Sequence, residues 1–266
     1  MNVKNIKDFV TNLKKQYGSL YSNIIWSDLS TYEIIETYDN DTGIVIVIAE
    51  RNRNKIFYAV AKLESLMNLM KNVTNGSILE YHYRDVNDMD EVFVNAGLEH
   101  YANYIRVTSI YEEKPYGKET GRQKLLDELY DPLCGEYPDI SDVEELYNLT
   151  RDAFDPLIDD VFSVEEWKNI IRNKECLVIK ENGKIVTFYV WRLEGKKLYS
   201  NMSLNLGPAN YMYNLERRVF DYTWKLGIRV YYAWYNQNNV RAIKRGIMNP
   251  AAKQNNCMYD AIYIKN

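Results

Sequence analysis

Cysteine and histidine are scarce in this chain of 266 residues, and their scarcity removes whole classes of chemistry. The three cysteines, Cys134, Cys176 and Cys257, are widely spaced and odd in number, which excludes a disulfide framework and fits a reducing compartment. Beside them stand only His82 and His100, so no metal-ligand spacing arises and no metal is expected. Each histidine lies in a strand-like segment near no obvious Ser or Cys nucleophile, which makes a His-dependent triad hard to build. Long apolar runs are also missing. Nothing approaches the roughly 20 residues of a membrane span, and the start, Met1 to Lys7, is polar, with no apolar signal region. A cytoplasmic protein without a membrane partner is expected. Charge of one sign is nowhere concentrated: Lys and Arg are interspersed with Asp and Glu to a net charge of −4, leaving no stripe to track the phosphates of a nucleic acid. Pairs such as Lys14-Lys15 read as solvated helix faces.

What is present suffices for a globular protein with a sizeable core. The 24 tyrosines are scattered among Asn, Ile and Lys, a compositional bias rather than an aromatic binding face. Between two strongly patterned regions, Glu112 to Arg122 is polar, contains Pro115, Gly117 and Gly121, and has no apolar period. It divides the chain into a domain over 1–112, a linker over 113–126 and a domain over 127–266.

In the second domain, Val143, Leu146, Tyr147 and Thr150 recur at helical spacing, and Ser163-Val164-Glu165-Glu166 is a capping-box start for a helix that buries Trp167, Ile170 and Ile171. Cys176 to Lys180, Lys184 to Leu193 and Lys197 to Asn205 read as an antiparallel meander turning at Asn182-Gly183 and Gly195. A loop at Gly207-Pro208-Ala209 leads into a helix marked by Leu215, Val219, Tyr222 and Leu226, with Gly227 as its left-handed cap. Ile228 to Tyr235 is apolar almost throughout, as in a strand covered on both faces, so the helix before it crosses over from a parallel neighbour. A short helix from about Asn238 and a strand from Met258 to Ile264 close this domain. The first domain repeats much of the order: a helix with Ile6, Phe9, Val10 and Leu13, a meander over Tyr32 to Ala61, an amphipathic stretch over Leu63 to Val73, a strand over Ile78 to Tyr83, a helix over Met89 to Leu98 and a closing strand over Tyr101 to Tyr111.

This order, together with Leu177 to Val186, Gly227 to Tyr232 and Asn236 to Ala242, resembles the GCN5-related N-acetyltransferase (GNAT) superfamily. The resemblance implies an α/β fold of two tandem GNAT-like domains, each a mixed, mostly antiparallel twisted sheet flanked by helices. It also implies acetyl-CoA as co-substrate. In the family, the fourth strand leaves backbone groups unpaired to hold the pantetheine arm and polarise the thioester, here along Met202, Ser203 and Leu204. A loop at the next helix N-terminus holds the diphosphate, here Leu206 to Met212 with Gly207, Ala209, Asn210, Tyr211 and Met212. This loop has one Gly, no initial Gln or Arg, and a Pro without an N–H. It either binds CoA in a different conformation or is a plain strand-to-helix turn. Asn239, with Asn236 second, matches a residue that contacts the cofactor arm; the same residues also read as a turn and helix cap. Where the family often has a proton-donating Tyr stands Gly246, which leaves Tyr235 and Tyr259 as substitutes. Glu194, Asp159 and Asp160 are the carboxylates placed to act as base. In the first domain, Ala59 to Lys62 runs into its helix with no glycine loop, so that domain would complete or support the acceptor cleft.

The resemblance therefore implies an acetyl-CoA-dependent N-acyltransferase acting by direct attack of an amine, on a small molecule or a peptide, as a monomer or homodimer. The alternatives are an inactive binding module of the same fold and an aminoacyl transferase, against which the absence of a basic groove argues.

Overall fold

The computed structural model describes residues 1–114, 121–247 and 252–266, and the side chains of these except 121–123, 126 and 244–257. Two compact units emerge, Met1–Tyr104 with Pro156–Ile158 and Cys257–Asn266, and Ile105–Asp155 with Asp159–Asn256.

The first unit begins with α1 (Val3–Tyr17), whose N-terminus is capped by the Asn2 side chain accepting from the Asn5 N–H at 2.9 Å. The two-residue β1 (Tyr21–Ser22) and α2 (Trp26–Thr31) follow, and then the meander β2 (Glu33–Asn40), β3 (Gly43–Glu50) and β4 (Arg53–Val60). In β3 the strand period assigns alternate residues to opposite faces. Ile44, Ile46 and Ile48 pack with Ile6 and Leu29 of α1 and α2. Val45 and Val47 pack with Leu66 and Met70 of α3 (Leu63–Met70) and Phe93 of α4 (Asp90–Asn95). A strand covered on both faces must be apolar along the covered part, and β3 is from Ile44 to Ala49.

β5 (Ile78–Tyr83) runs parallel to β4 and meets it in register only at Lys55↔Ile78. Beyond that pair the gap is filled by the chain itself: β1 pairs antiparallel with the end of β4, Tyr21↔Val60 and Ser22↔Ala59. Asn23 completes the seal. Its Nδ2 donates to the Ile56 and Glu80 carbonyls at 3.1 and 3.2 Å, and its Oδ1 accepts from the Tyr58 N–H at 2.8 Å. Nearby, Lys55 and Arg53 are buried against Glu80 at 2.5 and 3.2 Å, with Glu50 closing the cluster. Burial works against the Lys55 charge, yet the carboxylates of Glu80 and Glu50 outweigh it and hold its pKa above the ordinary value.

β6 (Leu98–Tyr111) is divided between the units at Tyr104 and Ile105. The last strand, β11 (Ala252–Lys265), pairs antiparallel with β5 from Tyr259↔Tyr83 to Ile264↔Ile78. Residues 258–264, read from sequence as closing the second domain, thus belong to the first unit. The reason is packing. Ala261 and Tyr263 are buried with Phe93, and the Tyr263 hydroxyl donates to Asp90 at 2.5 Å while accepting from Asn87 at 2.6 Å.

In the second unit, α5 (Gly121–Glu128) occupies the later part of the stretch read as linker, of which residues 115–120 lie outside the described residues. α5 has no apolar stripe to announce it. Asp127 near its C-terminal end fixes it by accepting from Tyr213 at 2.8 Å and pairing with Arg217. A 3₁₀ turn (Ile140–Asp142), α6 (Val143–Ala153) and α7 (Val164–Arg172) follow. Both bonds of the capping box are present, Ser163 Oγ accepting from the Glu166 N–H and Glu166 accepting from the Ser163 N–H. Next come β7 (Cys176–Glu181), β8 (Lys184–Glu194), β9 (Lys197–Asn205), α8 (Ala209–Lys225), β10 (Val230–Asn236) and α9 (Val240–Ile247). The strand order is β7-β8-β9-β10, followed by the 105–111 part of β6. α6 and α7 cover one face with Leu146, Trp167 and Ile171, and α8 covers the other with Met212, Leu215 and Val219.

Asn23→Ala would strip three partly buried backbone groups of their partner, at a cost of about 3 kcal/mol. Chemical denaturation should show that loss; a variant as stable as the parent would mean that water takes the place of the side chain.

Candidate functional site

The site is built by a parallel pair of strands that separates. β9 and β10 meet in register at Lys197↔Val230, Leu198↔Tyr231 and Tyr199↔Tyr232, and no further pair joins them among the described residues. On its other side β9 stays paired with β8 as far as Asn205↔Thr187. From Ser200 onward, the β9 backbone therefore has no strand partner on the β10 side among the described residues, and backbone N–H and C=O groups in that position seek a partner.

A bulge sets which side chains accompany this edge. Val190 pairs with Met202 and Trp191 with Ser200, so Asn201 is the extra residue. In a regular strand Leu198 and Met202 would share a face. Here Leu198 packs with the α8 cluster, and Met202 and Leu204 with the α6/α7 cluster, because the bulge resets the alternation. The Oδ1 of Asn201 is buried with no donor among the described residues.

On the α8 side, a cavity of about 160 Å³ is lined by Ser200, Glu216, Phe220, Ala233 and Tyr235, with Tyr111 and Tyr231 at its wall. Burial pushes the Tyr111 and Tyr231 hydroxyls up to about 12, so both are proton-bearing at neutral pH. On the opposite face, Tyr199 stacks on Tyr232 at 4.8 Å. Burial first, and the Asp160 carboxylate second, hold the Tyr199 pKa above its ordinary value. Glu194 accepts from the Tyr232 hydroxyl and from Arg192. Burial works against its charge, but those two donors and the Arg192 charge outweigh it and hold its pKa below the ordinary range.

The loop from β9 to α8 is closed on itself. Asn205 Oδ1 accepts from Thr187 Oγ1 at 2.7 Å and from the Gly207 N–H at 3.2 Å, and Asn205 Nδ2 donates to the Pro208 carbonyl at 3.1 Å. The Tyr211 ring lies against Gly207, where an added Cβ would meet it at 2.8 Å, and its hydroxyl donates to Glu181 at 2.6 Å. The α8 N-terminus has no side-chain cap and no acidic residue in its first turn, which leaves the Ala209 and Asn210 amides facing outward. Met212 is buried.

Asn236 accepts from the Asn238 N–H at 2.9 Å in a turn, and Asn239 accepts from the Ala242 N–H at 3.1 Å as the cap of α9. Gly246 lies within α9. Tyr259 belongs to the first unit, stacked on Tyr83 at 5.3 Å. Asp159 closes its own turn by accepting from the Asp155 N–H at 3.0 Å. The structure thus brings Tyr235 to the cavity, places Ser203 on the open edge of β9, and sets Glu194 against Tyr232. Alternate polar residues at the end of the strand, Asn201, Ser203 and Asn205, are legible in the sequence as cleft-lining, but the bulge at Asn201 and the pairing of Tyr199 with Tyr232 are not, since neither leaves a local signature. Among the described residues no cluster of three His, Cys, Asp or Glu is arranged to hold a metal, and no helix is long and apolar enough to cross a membrane.

No protein-family model and no curated protein sequence matches the chain. Solved structures do. A GCN5-related N-acetyltransferase from Sphaerobacter thermophilus superposes with a TM-score of 0.53 at 12% identity, covering 84% of this chain and 76% of the other. A GNAT-family protein from Novosphingobium aromaticivorans gives 0.52 at 12% identity, covering 86% and 91%. A conserved protein of unknown function from Staphylococcus epidermidis gives 0.50 at 10% identity, covering 92% and 98%. At these identities the likeness is one of fold: a mixed sheet flanked by helices, as in the GNAT acetyltransferases.

Asn239→Ala should lower stability by about 1 kcal/mol through loss of the α9 cap. Thermal unfolding checks this, and an unchanged midpoint would free that side chain for another role.

Proposed function

We propose that this chain, with the fold of the GCN5-related N-acetyltransferases, transfers an acetyl group from acetyl-CoA to the amine of a small molecule or peptide, using the second unit. The observation that carries the reading is the open edge of β9 from Ser200 to Asn205 beside the cavity. The same strand separation in the first unit is filled by Tyr21, Ser22 and Asn23, so a gap of this kind takes an extended, amide-bearing partner. A pantetheine arm is such a partner. In the reaction the amine nitrogen bonds to the thioester carbonyl carbon, the C–S bond breaks, CoA leaves as the thiol and the amine loses a proton.

The chain's own groups have distinct parts in this reading. N–H groups on the open edge bind the arm and polarise the carbonyl oxygen. Tyr235, beyond the last β9–β10 pair and at the cavity, donates a proton to the departing sulfur. The diphosphate rests on the Ala209 and Asn210 amides at the α8 N-terminus, since the Gly207 amide is engaged by Asn205. The first unit repeats the order of meander, helix, parallel strand and short helix, and we read it as a second copy of the fold without a cofactor.

One observation favours a second reading, a binding module without catalysis: Gly207, Asn236 and Asn239 all have their hydrogen bonds made within the chain. Titration with acetyl-CoA and with desulfo-CoA, followed by thermal shift, separates the cases. Ligand at about 100 times its Kd adds roughly 2.7 kcal/mol of stability. No shift with either compound overturns both readings of the cofactor; a shift without acetylation of any amine in a broad panel leaves the binding module. Tyr235→Phe should lower kcat about 100-fold with the Kd for CoA unchanged. Glu181→Gln, which removes a carboxylate beside the loop, should tighten CoA binding several-fold at low salt; the same Kd at low and high salt would place the diphosphate elsewhere.

A further inference from the structure

Arg106 stands on the face of the second unit's sheet opposite the cavity. Val107 and Ser109 of β6, and Tyr231, Tyr232 and Ala233 of β10, line the cavity; strand alternation turns Arg106 and Trp234 the other way, and the ring of Tyr232, stacked on Tyr199, lies on their side. Its guanidinium lies 5.8 Å from the ring centroid of Tyr232 and 5.8 Å from that of Trp234. Two aromatic faces hold it in place, and none of the described residues supplies an anion. Its Nε is buried without an acceptor. Arg217 also has a buried Nε without an acceptor, but its Nη1 is paired with Asp127; Arg218 is met by the Gly135 carbonyl and Arg229 by the carbonyls of Trp224 and Ile228, so among the half-buried arginines described in this unit Arg106 alone has no acceptor on any nitrogen among the described residues. The neighbouring carboxylate, Glu194, is taken by Arg192 and the Tyr232 hydroxyl.

A fixed guanidinium with a buried, unanswered donor is a site for an oxyanion, and its planar fork matches carboxylate or phosphate. We infer that Arg106 binds the anionic group of the amine acceptor, a carboxylate or phosphate carried on a small amine whose body lies on the Tyr199, Tyr232 and Trp234 rings. This rests on the acyltransferase reading for the word acceptor, but the anion site stands on its own geometry. Tyr199 and Tyr232 form the last pair before the strands separate, so an amine anchored at Arg106 is directed to the place where the β9 edge opens.

The test is calorimetric, on the full chain with saturating desulfo-CoA and again without it. The probes are L-leucine against L-leucinamide, and O-phosphoethanolamine against ethanolamine. The charged member of at least one pair should bind roughly tenfold or more tightly than its neutral counterpart, as a charge-assisted, bidentate contact requires. The pair that discriminates identifies carboxylate or phosphate. Arg106→Gln should abolish the difference, while Arg106→Lys, which keeps the charge without the fork, should retain part of it; the unfolding midpoint of each variant checks that it is folded. Equal affinity within both pairs, or a preference that survives Arg106→Gln, overturns the inference. Arg106-dependent anion binding without any response to CoA would instead sink the acyltransferase reading and leave the anion site intact.

Discussion

Everything in the second unit depends on how little of β9 and β10 is joined. Parallel neighbours need a crossover, and α8 supplies it, packing Met212, Leu215 and Val219 under Leu198 and Tyr231, where the strands still pair. The helix thus clamps the strand starts and leaves their ends free to part. The bulge at Asn201 adds local twist on the β9 side and moves Met202 and Leu204 to the α6/α7 layer. Cavity, open edge and aromatic face are three results of this single geometry.

The two units answer the same physical demand differently. A parted pair of strands leaves backbone donors and acceptors without partners, and groups of this kind cost on the order of 1–3 kcal/mol each when buried and unmet. The first unit meets the demand internally through Tyr21 to Asn23. In the second no strand among the described residues meets it, and aromatic rings stand around the open edge. The buried phenols of Tyr111 and Tyr231 keep their protons, so beside Glu216 these two groups offer hydrogen bonds without adding charge.

Element order was legible because it rests on local signals. The unbroken apolar run of β3, the Ser163 and Glu166 capping box and the left-handed Gly227 at φ 83° each follow from a few adjacent residues. The parallel pairing of β10 followed from its apolar character on both faces. What the sequence hid is non-local. The alternation of residues 258–264 fits either sheet, and only the packing of Tyr263 on Phe93 assigns them to β5. Tyr21 to Asn23 is too short to carry a period. Arg106 is one charged residue within a strand, indistinguishable by pattern from a solvated one until its neighbours are seen. At Asn239 the cap reading and the ligand reading used the same residue, and its side-chain oxygen caps α9.

The segment that closes the first unit's gap is tethered, α1 ending at Tyr17 and α2 beginning at Trp26. A competitor on such short connections acts as though present at an effective concentration on the order of millimolar, and it cannot be diluted away. Any free molecule of similar shape must outbid that standing occupant before it gains a single contact. The gap in the first unit is therefore closed to outside molecules by chain connectivity, a constraint that the second unit does not carry among its described residues.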